Sequence, residues 1–208
     1  MSAPGEDFRV QRRAGIGWIL AGGVVAAAIW FAIDRLAPPL AGMESLAARM
    51  VFALKCVSLA VLFCLVAGVE AVAHERLVSP AFDPLAGFET RRLRVNQRYL
   101  QNTLEQIVIF AAGLFGLAAY CTDGRAMRAV AASTVVWILA RFAFWIGYHR
   151  SAAGRGLGMS GMVIGMIQLL YVAYRFGGEL AGPWGAAAPI VLFIALEAVL
   201  VWTTRSRP

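Results

Sequence analysis

Residues 93–120 read LRVNQRYLQNTLEQIVIFAAGLFGLAAY, with Arg94, Arg98, Asn102 and Glu105 spaced four, four and three apart. At 100° per residue they share one helix face about 80° wide. An arginine can hold a carboxylate through two parallel hydrogen bonds. A glutamate accepts from an ammonium, and an asparagine both donates and accepts. Taken with a second cluster of cations further along the chain, such a face suits a multiply charged anionic ligand with an amine. A second set lies in WILARFAFWIGYHRSAAGRG, residues 137–156. Arg141, Phe144 and Tyr148 again share a face, and Arg150, Ser151 and Arg155 follow in the next loop. Each group also has a plainer reading. Arg98, Asn102 and Glu105 could satisfy one another and join helices, Tyr148 could be an interface-belt tyrosine, and Arg150 and Arg155 could be charge anchors.

The elements that must position these residues are membrane helices. Of 208 residues, 60% are hydrophobic and 15% charged, and the mean hydropathy is +0.70. Soluble domains are about 45–50% apolar and about 25% charged. A hydrocarbon core of about 30 Å takes roughly 20 apolar residues per helix, and six stretches qualify: 14–33, 46–73, 102–120, 126–149, 157–176 and 185–204. The net charge is 19 − 12 = +7. In a soluble chain such a balance would fit nucleic acid, but here its distribution follows topology. Twelve arginines (9, 12, 13, 76, 91, 92, 94, 98, 150, 155, 205 and 207) fall on one side, and five (35, 49, 125, 128 and 175) on the other. Lys55 and Arg141 lie inside spans. The positive-inside rule then places both termini and the 74–101 and 149–156 loops in the cytoplasm.

The first apolar run is longer than the about 7–15 residues of a secretory core, so a retained helix is expected there. Cys56, Cys64 and Cys121 have no metal or disulfide spacing. No P-loop, dinucleotide fingerprint, HExxH or nucleophile elbow occurs. Pro80 and Pro84 put a turn into the long 74–97 loop. Thr90 is placed to cap a helix starting near Arg91, and Ser45 to cap the second span.

The run R-x-x-x-N-x-x-E at Arg98, Asn102 and Glu105, followed one span later by R-F-A-F-W-I-G-Y-H-R-S-x-x-x-R from Arg141 to Arg155, resembles the MAPEG family. These membrane-associated proteins of eicosanoid and glutathione metabolism include microsomal glutathione transferases and leukotriene C and prostaglandin E synthases. The likeness covers about residues 46–176, most specifically 91–105 and 140–155. It implies an all-α membrane protein with a four-helix core over 46–176, one additional helix within 1–45 and another within 177–208. That is a bacterial-type arrangement, expected in the inner (cell) membrane. It further implies a homotrimer binding glutathione between neighbouring subunits near the cytoplasmic surface, a lipophilic second substrate, and no metal. By position, Arg98, Asn102, Glu105 and Tyr148 match the family's glutathione ligands. Arg155 matches the arginine that stabilises the thiolate in the leukotriene C synthase branch. Arg94, Arg150, Ser151 and Arg76 complete the candidate ligand set, with His74 as the alternative to Arg76.

A thiol of pKa about 8.5 is only a few per cent ionised at neutral pH. A guanidinium beside it raises the thiolate fraction by electrostatics, not as a base, since arginine does not readily deprotonate. Two positions differ from the leukotriene branch, Gln106 and Phe144 standing where that branch has tyrosines. Three functional classes follow: a glutathione-dependent transferase or peroxidase acting on a lipophilic electrophile, a family-shaped binding protein without turnover, and a small-molecule transporter. Transport predicts broken helices at mid-membrane or an internal repeat, and the sequence has neither.

Overall fold

The computed structural model describes residues 4–205, and among these the ordered elements are all helical. They are α1 (Pro4–Leu36), α2 (Leu46–Ala60), α3 (Ala67–Leu77), α4 (Arg91–Tyr120), α5 (Arg128–Arg150) and α6 (Ser160–Arg205). A π-helical turn, Val61–Val66, joins α2 and α3 into one continuous span. Ser45 caps α2 by accepting from the Ala48 amide at 3.1 Å. Thr90 caps α4 by accepting from the Leu93 amide at 2.9 Å, so that helix starts at Arg91, as the cap predicts. Polar residues 91–101 are therefore helical and lead directly into the apolar stretch.

Among the described residues five helical runs are long and apolar enough to cross a membrane, and the last of them, Gly154–Thr204, has 51 residues. Laid straight, it would extend about 76 Å, more than twice a hydrocarbon core. It is broken at Ala181 (φ −145°, ψ 27°) and Gly182 (φ 61°, ψ −148°), the latter a conformation essentially confined to glycine. A Cβ added to Gly177 would collide with the carbonyl oxygen of Gly185. Residues eight apart in a straight helix are about 12 Å apart along the axis, so the chain doubles back. Segments 160–180 and 183–205 form a hairpin, and the six expected spans are present in five helical runs. Pro183 opens the second arm, where its missing amide costs no internal hydrogen bond.

The core lies between α2, α4 and α5. Ala53, Cys56, Ala60, Cys64, Phe110, Leu114 and Trp137 are buried there, and Phe110 stacks on Trp137 at 4.7 Å between ring centroids. The three cysteines are free and buried, serving as small apolar residues. At the end that holds the α3–α4 loop and the α5–α6 turn, here called the basic end, Glu75 joins α3 to α4. It accepts from Arg92 at 3.0 Å and from the Thr90 hydroxyl at 3.0 Å. Asn96 takes Trp145 Nε1 at 3.0 Å and His149 Nε2 at 2.9 Å, clasping α4 to α5. Lys55, Glu70 and Glu197 are exposed on the protomer surface. Glu70 pairs with His74 one turn along its own helix at 3.5 Å, and among the described residues Lys55, Glu70 and Glu197 form no ion pair between helices.

Candidate functional site

The polar face of α4 straddles the boundary between the protomer's surface and its interior. Arg94, Arg98 and Glu105 are on the exposed side. Arg98 donates to Gln101 Oε1 at 3.2 Å, and Gln101 Nε2 donates to Glu105 at 3.2 Å. The three form a run at i, i+3 and i+7, neighbours along a helix surface. Arg94, Arg98 and Gln101, with Glu89 and Gln97, line a cavity of about 260 Å³. Glu105 has no salt bridge among the described residues, so the arginines do not converge on it within one protomer.

Asn102 faces inward. Its Oδ1 accepts from Arg141 Nη1 at 3.0 Å and from Gln106 Nε2 at 3.2 Å. This network sets the amide's orientation and leaves Nδ2 with no partner among the described residues. Any group that Asn102 meets from outside is therefore offered a donor. Arg141 is completely buried. Besides Asn102 it donates to Gln106 Oε1 at 3.0 Å and Thr103 Oγ1 at 2.8 Å. Its guanidinium lies 5.2 Å from the Tyr99 ring centroid and 4.6 Å from that of Phe144. Tyr99 is itself fixed by donating to the Cys64 carbonyl in the π-helical turn at 3.2 Å and by stacking on Trp145 at 4.6 Å. Neutral dipoles and ring faces hold this buried cation without any carboxylate among its partners.

Arg141 also links the two sequence clusters. Phe144 meets Tyr148 edge-on at 5.8 Å, and Arg155 lies 5.5 Å from the Tyr148 ring. A continuous ladder thus runs from Asn102 through Arg141, Phe144 and Tyr148 to Arg155. Tyr148 is half-buried, whereas Arg150, Ser151 and Arg155 are exposed. Ser151 Oγ accepts from the Gly154 amide at 2.9 Å and so shapes the turn Gly154–Gly158 that carries Arg155. The Arg98–Glu105 run and the Tyr148–Arg155 pair make no direct hydrogen bond or ring contact with each other among the described residues. Arg76 is half-buried with Nε unpartnered, and His74 is occupied by Glu70. Neither reaches the ladder.

Sequence spacing did not single out Gln101 and Gln106, although Gln101 lies three residues beyond Arg98 and four before Glu105. Gln106, where the leukotriene branch has a tyrosine, turns its amide inward to Arg141 and is buried. No group of three or more potential metal ligands occurs among the described residues.

The comparisons with known proteins agree with this architecture. The model of the MAPEG family matches residues 50–175, which spans most of α2, the π-helical turn, α3, α4, α5 and most of the first arm of α6. No curated protein and no solved structure matches the chain. A match over more than half the length, on a bundle of apolar helices, places this chain in the MAPEG family.

Proposed function

We propose that this protein is a membrane-embedded glutathione-dependent transferase or peroxidase that acts on a lipophilic electrophile, working as a homotrimer with its basic end in the cytoplasm. The observation that carries this reading is the exposed run Arg98–Gln101–Glu105 beside the outward-facing Nδ2 of Asn102. Charged groups at membrane depth pair or line a cavity, and a second copy laid against α4 would enclose these in a cleft. Arg98 then holds a carboxylate of glutathione, Glu105 its ammonium, and Asn102 donates to a peptide carbonyl. Arg155 stabilises the thiolate. Its guanidinium lies over the Tyr148 ring, which Phe144 and Arg141 link to Asn102.

The test is an ultraviolet titration of the glutathione thiolate on purified protein. Wild type is expected to ionise the bound thiol at least about one unit below its free value of about 8.5. Arg155→Ala is expected to abolish the shift while leaving glutathione affinity within about three-fold, because the neutral thiol gains little from a cation. Activity toward a generic electrophile should fall roughly 10- to 1000-fold, as when one anion-stabilising donor is lost. Identical curves for the two proteins would remove Arg155 from the mechanism. An undepressed thiol in wild type would favour binding without turnover. That second reading draws on Gln106 and Phe144, which offer no hydroxyl to the cleft.

A further inference from the structure

We infer that α1, which lies wholly outside the matched family region, completes with α5 the grip on the turn carrying Arg155 and thereby helps to set where its guanidinium stands. The inference rests on the assignment of Arg155 to the thiolate. The turn Gly154–Gly158 is held from two sides by close backbone approach. On the α5 side, a Cβ on Gly154 would lie 2.7 Å from the Gly147 carbonyl oxygen, and one on Gly158 would collide with the Ala140 carbonyl oxygen. On the α1 side, a Cβ on Gly156 would lie 2.8 Å from the Gly15 carbonyl oxygen and 3.2 Å from both Trp18 Cβ and Ile19 Cγ1. One on Gly22 would overlap the Leu157 carbonyl. Arg155 sits between these contacts, exposed, with its guanidinium over the Tyr148 ring. Its position is therefore inherited from the backbone that α1 and α5 grip.

α1 is suited to this because it is pinned along its length. Near its far end Trp30 Nε1 donates to Ser133 Oγ at 3.0 Å. Just beyond the helix, Arg128 donates to the Ala37 carbonyl at 3.0 Å and Leu40 N to the Gly124 carbonyl at 3.0 Å. Beside Gly22 a gap of about 230 Å³ lies between α1 and α5, lined in part by Val25, Ala26, Ala140 and Leu157. A larger side chain at position 22 would find room there beyond its Cβ. The Cβ itself would not, so α1 and the turn must part at this contact.

Gly22→Leu is therefore compared with Gly23→Leu, whose added Cβ meets nothing within 4 Å, and with Arg155→Ala. Two properties are read on the purified full chain: the thiolate titration of bound glutathione, and the rate of tryptic cleavage after Arg155. Gly22→Leu is expected to reduce the thiolate fraction at pH 7 by about three-fold or more toward the Arg155→Ala value. It should also accelerate cleavage about five-fold or more, as local opening of the turn becomes easier, with glutathione affinity within about three-fold of wild type. Gly22→Ala, which brings the same Cβ with less bulk, should shift both readouts in the same direction by less. Gly23→Leu should match wild type. Wild-type titration and cleavage in Gly22→Leu would overturn the inference. If Arg155→Ala leaves the titration unchanged, the thiolate assignment has failed and the guanidinium claim falls with it, while the cleavage rates still decide whether α1 holds the turn.

Discussion

Glu105 stands on the exposed face of α4 with Gln101 as its hydrogen-bond partner. A carboxylate in that position is available to an ammonium from outside the protomer. Glu105→Gln keeps the shape and a hydrogen-bonding oxygen but removes the charge. It is expected to weaken glutathione binding by about 1.5–3 kcal/mol, the range for hydrogen bonds to charged groups, or about 10- to 150-fold in Kd. Calorimetric titration measures this, and light scattering should show an unchanged oligomer. Loss of the oligomer instead would mean that Glu105 joins helices and does not bind the ligand. The spacing of Arg98, Asn102 and Glu105 made the face legible before any coordinates. It did not reveal that Asn102 Oδ1 is turned inward, because helical period assigns residues to faces and says nothing of partners. The partner is Arg141, whose charge inside an apolar span was visible. Its role as the link between α4 and Arg155 depends on Phe144 and Tyr148 stacking in three dimensions.

At the scale of elements, the caps and turns were the most legible features. Ser45 and Thr90 end their loops through local hydrogen bonds, which depend on a few adjacent residues. The π-helical turn was not legible, since VLFCLV has the composition of any membrane helix. The contacts of α1 with Gly156 and Leu157 were equally hidden, because close packing between distant glycines leaves no periodic trace. The break in α6 was expected between the spans 157–176 and 185–204 and falls at Ala181–Gly182. Its hairpin geometry is directly testable. A Cβ on Gly178 would lie 3.5 Å from Ala186 Cβ, within the roughly 3.5–4.5 Å span of disulfides. Gly178→Cys with Ala186→Cys is therefore expected to form an intramolecular disulfide on mild oxidation, detected by mass spectrometry of the digested monomer. In an unbroken helix these positions would be about 12 Å apart, so failure to cross-link would refute the hairpin.

The whole molecule presents Lys55, Glu105 and Glu197 on the outside of helical spans. A charge at the bilayer centre costs about 2.5–3.5 kcal/mol on insertion scales, a cost that the proposed homotrimer would lower by covering part of this surface. The basic asymmetry predicts which end faces the cytoplasm. A membrane-impermeant thiol reagent added to intact cells is expected to label Glu44→Cys and spare Ala152→Cys, both sites being exposed in loops. The reverse pattern would put Arg155 on the wrong side for cytosolic glutathione. Composition and charge made the membrane setting legible, because lipid and topology act on sums over many residues. The proposed inter-subunit cleft rests on the family resemblance and not on composition or charge, because it depends on surfaces that a single chain leaves open. The glycine at position 182 also governs direction. With the reversal there, the second arm of α6 returns toward the basic end, where α1 meets the α5–α6 turn. Were α6 to run on unbroken, its second half would continue away from that end. One residue able to adopt φ 61° thus decides toward which end of the bundle this helix returns.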